Sequence, residues 1–99
     1  MKHFIVEVIY KVPLEKFGDA VAEHRAYLDE GYERGMILFS GPLVPRLGSI
    51  FVARAESAQE LVDFFENDPY KTQGLADFRF IQFAPTRYLP ALAEWFEES

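Results

Sequence analysis

Apolar and polar positions change their period several times along this chain, and each change marks an element. Between His3 and Tyr10 they alternate, with Phe4, Val6, Val8 and Tyr10 on one side and His3, Ile5, Glu7 and Ile9 on the other. A period of two predicts a strand, here one with large apolar groups on both faces. Pro13 ends it. From Leu14 to Arg34 the spacing becomes helical, with Leu14, Phe17, Val21, His24 and Leu28 three or four apart, while Glu15, Lys16, Asp19, Glu23 and Glu30 fall mostly elsewhere. One member of that apolar stripe is a histidine. Gly35 suits the left-handed position that closes a helix, with Gly31 as an alternative one turn earlier.

Met36 to Leu43 reads as a strand buried on both faces, ended by Ser40-Gly41-Pro42. Gly41 permits backbone angles or a close approach that a Cβ would forbid, and Pro42 fixes φ and removes a donor. A mid-length loop, Val44 to Gly48, leads to a third strand over Ser49 to Ala55, so the two form a hairpin. Ser57-Ala58-Gln59-Glu60 has the form of a capping box. The helix it opens runs to about Glu66 and buries Ala58, Leu61, Phe64 and Phe65. Asn67-Asp68-Pro69 ends that helix and places Asp68 on a loop. Tyr70 to Asp77 is expected to be irregular or a single turn. Phe78 to Tyr88 predicts a fourth strand, with Phe78 and Phe80 on one face and Ile81 and Phe83 on the other. Pro90 opens a terminal helix over 89–99, with Leu92, Trp95 and Phe96 as its apolar side.

The order β-α-β-β-α-β plus a tail helix is that of an α+β, ferredoxin-like fold, a four-stranded antiparallel sheet with two helices on one face. It occupies 1–99 as a single domain, with its core in 3–88. Two helices cover one sheet face only, yet three strands are apolar on both. An open face of that kind predicts a homodimer joined sheet to sheet, the tail helix helping to cover the seam.

Composition narrows the partners. Apolar residues make up 49% of the chain and aromatics 16%, which excludes disorder and requires a place for much ring surface. Sixteen acids against ten Lys plus Arg give a net charge of -6, which opposes binding to nucleic acid or anionic membranes. The absence of cysteine removes disulfides, a thiolate nucleophile and thiolate metal sites. No apolar run approaches spanning length, and MKHFIVEVIY lacks the form of a signal peptide, so a cytoplasmic location is expected.

Chemistry centres on His24. An imidazole on an inward stripe needs a partner, since burying it unpaired costs roughly 1–3 kcal/mol. A backbone carbonyl would make it a core histidine; a carboxylate would make it an acid/base group. Asp68 is the candidate carboxylate, or else only a helix-ending turn residue. Ser40, Gly41 and Pro42 are either an ordinary strand-ending turn or groups that orient a substrate oxygen. His3 is expected to be solvated, two unrelated histidines make no metal motif, and Glu94, Glu97 and Glu98 form a solvated helix face. No phosphate-binding glycine loop is present, and no cofactor is expected.

Taken in order, His24-Arg25-Ala26-Tyr27-Leu28, Gly35 before a strand, Ser40-Gly41-Pro42-Leu43, and Asp68-Pro69-Tyr70 with Gly74-Leu75 resemble the motifs of YciI-like (YCII-related) proteins over about residues 3 to 88. The resemblance implies a dimeric α+β barrel with a site around His24 and Asp68. Some members of that family are dehydrochlorinases of chlorinated aromatics, and the fold is similar to that of muconolactone isomerase. Many relatives carry an arginine where this chain has Val21. The expected function is a dimeric enzyme using the His-Asp pair for proton transfer, isomerisation or elimination, on a small aromatic or lactone substrate. The alternatives are a non-catalytic ligand-binding or regulatory dimer and a domain whose apolar face docks another protein.

Overall fold

In the computed structural model, which describes residues 1–97, β1 (Lys2–Tyr10) is the strand on which the sheet is built. It pairs antiparallel with β3 (Gly48–Ala55), from Lys2 opposite Ala55 to Ile9 opposite Gly48. Its other edge pairs antiparallel with β4 (Ala76–Phe83), from His3 opposite Phe83 to Tyr10 opposite Ala76. β2 (Ile37–Pro42) joins the outer side of β3, giving the order β2-β3-β1-β4. With α1 (Ala20–Glu33) and α2 (Ala58–Glu66) this is the ferredoxin-like order of elements. Alternation does the sorting: Phe4, Val6 and Val8 of β1 and Phe51, Ala53 and Ala55 of β3 pack with Leu61, Phe64 and Phe65 of α2 in one buried cluster. Each fully buried Val, Leu or Phe contributes about 1.5–3 kcal/mol, so the face assignment is strongly enforced.

Several expectations are corrected. The helical spacing from Leu14 does not form one helix: a 3-10 turn spans Leu14–Lys16, Gly18 takes a left-handed φ of 53°, and α1 begins only at Ala20. Gly35, with φ 69°, closes the helix region, and Gly31 stays within α1. β2 is not buried on both faces, because it is an edge strand. A bulge between Ile37 and Phe39 shifts its register, so Ile37 faces the core opposite Ala53 while Phe39, opposite Val52, is 55% exposed on the uncovered side. Gly41 is not a point of close approach; a Cβ there would meet open space, whereas one on Gly48 would collide with the Val8 carbonyl oxygen.

Ser57 caps α2 by accepting the Glu60 N–H at 3.1 Å, but the Glu60 carboxylate accepts from Glu56 N–H, one residue before the cap, and Ala58 is exposed. β4 stops at Phe83 rather than Tyr88 because β1 begins at Lys2 and offers no further partner. The tail forms a 3-10 turn, Pro90–Leu92, then α4 (Ala93–Glu97). Glu98 and Ser99, expected in that helix, lie outside the described residues.

The tail also corrects the expectation for His3. Trp95 lies over the Arg54 guanidinium at 3.7 Å, Arg54 donates to the Trp95 carbonyl, and the Phe96 ring sits 5.1 Å from the His3 ring. His3 is therefore 5% exposed rather than solvated. Burial, then the N-terminal amino group and Arg54, lowers its pKa. One end of the second sheet face is thus covered within the chain, while Ile9 and Phe39 on that face stay exposed.

Candidate active site

Asp68 lies, as expected, on the short connection that leaves α2, and it caps a one-turn helix, α3 (Pro69–Thr72). Its extended backbone suits the residue before proline, and Pro69 at the first helical position gives up an N–H that would have no partner there. The carboxylate caps the turn by accepting the Tyr70 N–H at 2.8 Å. Capping leaves it aimed inward at α1, fully buried.

There it meets His24. The imidazole Nδ1 lies 2.8 Å from each Asp68 oxygen. A carboxylate in that position accepts, so Nδ1 carries the proton and Nε2 holds the lone pair. Tyr70, two residues after the aspartate, stacks on the imidazole with ring centroids 3.8 Å apart and planes 8° from parallel. Phe51 presents an edge contact at 6.3 Å, and Phe17 packs edge-on to Tyr70 at 4.8 Å. The ring of His24 is therefore fixed in plane by rings and in rotation by the carboxylate.

A cavity of about 130 Å³ opens beside this ring. His24 and Leu28 from α1, Phe51 from β3 and Tyr70 from α3 form its inner wall. Gly41 and Pro42 of β2 line it too, together with Tyr10, Ser49, Arg25 and Arg46. With Nδ1 engaged, Nε2 is the nitrogen that a molecule in the cavity would meet.

The candidates read from the sequence are thus mostly brought together. His24 and Asp68 are in direct contact, and Gly41 and Pro42 border the same cavity. Ser40 is not among the lining residues: it stands opposite Phe51 beneath α1, and its Oγ is bonded to the Tyr32 hydroxyl at 2.7 Å. Val21 packs at the margin of the core.

Ser49 was not visible as a candidate. It stands on the helix-facing side of β3 opposite Pro42, is 8% exposed, and its Oγ finds no hydrogen-bond partner among the described residues. The alternation Ser49, Phe51, Ala53, Ala55, which puts a hydroxyl at an inward position, was the available signal. Arg46 is brought in by the β2–β3 loop and lines the cavity with Tyr10 and Tyr70; its interaction with the Tyr10 hydroxyl raises its pKa. Burial raises the Tyr70 pKa, so its hydroxyl stays protonated at neutral pH. Among the described residues no three His, Cys, Asp or Glu side chains converge closely enough to hold a metal ion, and no helix is long and apolar enough to cross a membrane.

Comparison with known proteins follows the same lines. The profile of the YCII-related domain matches residues 1–84. Among solved structures, the chain is similar to the 5-chloro-2-hydroxyhydroquinone dehydrochlorinase TftG from Burkholderia phenoliruptrix AC1100, in complex with 2,5-dihydroxybenzoquinone. The identity is 27% with a TM-score of 0.67, covering 89% of this chain and 96% of that one. No curated protein matches the chain by sequence.

Proposed function

The chain belongs to the YCII-related domain family, and on that premise we propose that it is a small enzyme in which His24, held by Asp68, moves a proton on a ring-bearing small molecule. The observation that carries this reading is the buried Asp68 carboxylate at 2.8 Å from Nδ1 of an imidazole that also borders a cavity. Asp68 fixes the tautomer with its lone pair on Nε2 and stabilises the imidazolium formed when Nε2 takes a proton. In an isomerisation the same nitrogen returns the proton to a second carbon. In an elimination the electron pair of the broken C–H bond forms a double bond as a leaving group such as chloride departs. The solved dehydrochlorinase supports the second course as the first to test.

Exchange of substrate protons in D2O tests both courses, since each begins with abstraction. Wild-type protein should exchange a ring or α proton in a panel of hydroxylated and chlorinated monocyclic compounds, followed by 1H NMR, and His24→Ala should abolish exchange with the fold intact by circular dichroism. A His24→Ala protein that retains full exchange rules the mechanism out. Binding without exchange in the wild type would instead favour a ligand-binding module.

We place this enzyme in a homodimer joined through the uncovered sheet face, and in the cytoplasm. Phe39 and Ile9 are exposed there, with Val52 of the intervening strand paired to Phe39 on one side and to Ile5 on the other. Sedimentation should give a dimer at micromolar concentration, and Phe39→Lys should shift it toward monomer. A wild-type monomer at that concentration removes the dimer.

A further inference from the structure

The cavity beside His24 has a charge opposite to that of the chain. Net charge is -6 with sixteen carboxylic side chains, yet none of the cavity's lining residues is acidic and two are arginines. The nearest carboxylate, Asp68, lies behind the imidazole and already accepts from Nδ1–H and the Tyr70 N–H. The remaining ionisable groups on the wall are the two arginines, Arg25 and Arg46, the imidazole of His24 with its lone pair on Nε2, and the Tyr10 and Tyr70 hydroxyls. A cleft with one sign of charge and low-dielectric walls concentrates ligands of the other sign.

Two further features of the wall point to a ligand. The Ser49 Oγ is buried on the cavity wall without a partner among the described residues, and a buried hydroxyl in that state is usually satisfied by a ligand or water. Arg46, beside Tyr10 and Tyr70 on the same wall, carries a planar guanidinium of the kind that matches a pair of oxygens. The volume of about 130 Å³ is close to the ~150 Å³ engineered cavity that holds one benzene.

We infer that the cavity takes its ligand as an anion, a single six-membered ring bearing a carboxylate or an ionised enol or phenol oxygen, with that oxygen set between the Ser49 hydroxyl and the Arg46 guanidinium and Arg25 at the mouth. The inference rests on the cavity being the substrate site. It adds the charge state of the substrate and the residues that select it. Placing the anionic oxygen at the Ser49 and Arg46 end leaves the ring carbons toward His24 Nε2.

Binding is measured without turnover, so this inference and the proton-transfer reading fail separately. Benzoate and its neutral isostere benzamide are titrated into the full chain at pH 7 and followed by 15N–1H NMR at the Ser49 and Tyr70 amides. Benzoate should bind at least tenfold more tightly than benzamide, with the preference shrinking as salt is raised. Arg46→Gln should remove that preference. Ser49→Ala should weaken benzoate about fivefold without lowering the melting temperature of the free protein, because the hydroxyl it deletes has no partner to lose. Equal binding of the two ligands, no binding of either, or an Arg46→Gln protein that keeps the preference overturns the inference. So does inorganic phosphate competing as well as benzoate, which would show a general anion site with no use for the ring. Benzoate binding that depends on Arg46, in a protein that exchanges no substrate proton, upholds the anion site and removes the catalytic reading alone.

Discussion

Replacing Asp68 by Asn separates the two duties of one carboxylate. In the wild type its oxygens accept from the Tyr70 N–H and from His24 Nδ1–H, all at 2.8 Å and with no exposure to solvent. An Asn side chain keeps one acceptor oxygen, which continues to cap α3, and turns its NH2 toward His24. The imidazole then has to accept at Nδ1, and its proton moves to Nε2. Stability changes by the difference between a charged bond, about 1.5–3 kcal/mol, and a neutral one, about 0.5–1.5 kcal/mol, so Asp68→Asn should cost about 1–2 kcal/mol. Asp68→Ala loses the cap, about 0.5–2 kcal/mol, and leaves Nδ1–H buried and unpaired, about 1–3 kcal/mol, a total of roughly 1.5–5 kcal/mol. Urea unfolding at one fixed protein concentration measures both, the fixed concentration removing any contribution from self-association. 15N NMR of the imidazole reads the tautomer, and substrate exchange should be abolished in both variants. The reasoning is refuted if Asp68→Ala is no less stable than Asp68→Asn, or if Asn leaves the proton on Nδ1.

Two other outcomes follow from the packing. His3 has its pKa lowered chiefly by burial, so the unfolded chain takes up its proton first as pH falls. The stability tied to the neutral ring is complete above about 6.5 and is lost as pH drops below it. The urea midpoint should fall between pH 7.5 and 5.5 by more in the wild type than in His3→Phe, and equal slopes would refute the assignment. Gly48→Ala would drive a methyl into the Val8 carbonyl oxygen across the β1–β3 ladder. Since backbone cannot yield there without breaking the pairing, a loss of about 3 kcal/mol or more is expected, and a midpoint within error of wild type would contradict it.

What could be read from the residues was whatever depends on period. The faces of β1 and β4 follow from alternation, and the order of elements from the switches between periods of two and 3.6. His24 and Asp68 stood out because each breaks its local pattern, a polar ring on an apolar stripe and an acid before proline. The rest depended on register. One extra residue at the bulge in β2 decides that Phe39 faces outward and that Ser40 meets Tyr32, and no local pattern announces it. The same register sets Ser49 opposite Pro42 and so onto the cavity wall. The burial of His3 rests on a contact with Phe96, ninety-three positions away, and nothing near His3 encodes it. Arg46 reaches the site through the course of a loop, which composition does not specify.

The contact between Phe96 and His3 has a practical side. It brings the first and last described segments of the chain to one corner, at the end of β1 away from Tyr10. Seven residues of strand, about 23 Å at ~3.3 Å each, separate that corner from the Tyr10 end, where the cavity opens. A fluorophore, an affinity handle or a surface tether attached at the exposed Lys2 would therefore stand well clear of the mouth and leave small molecules free to enter.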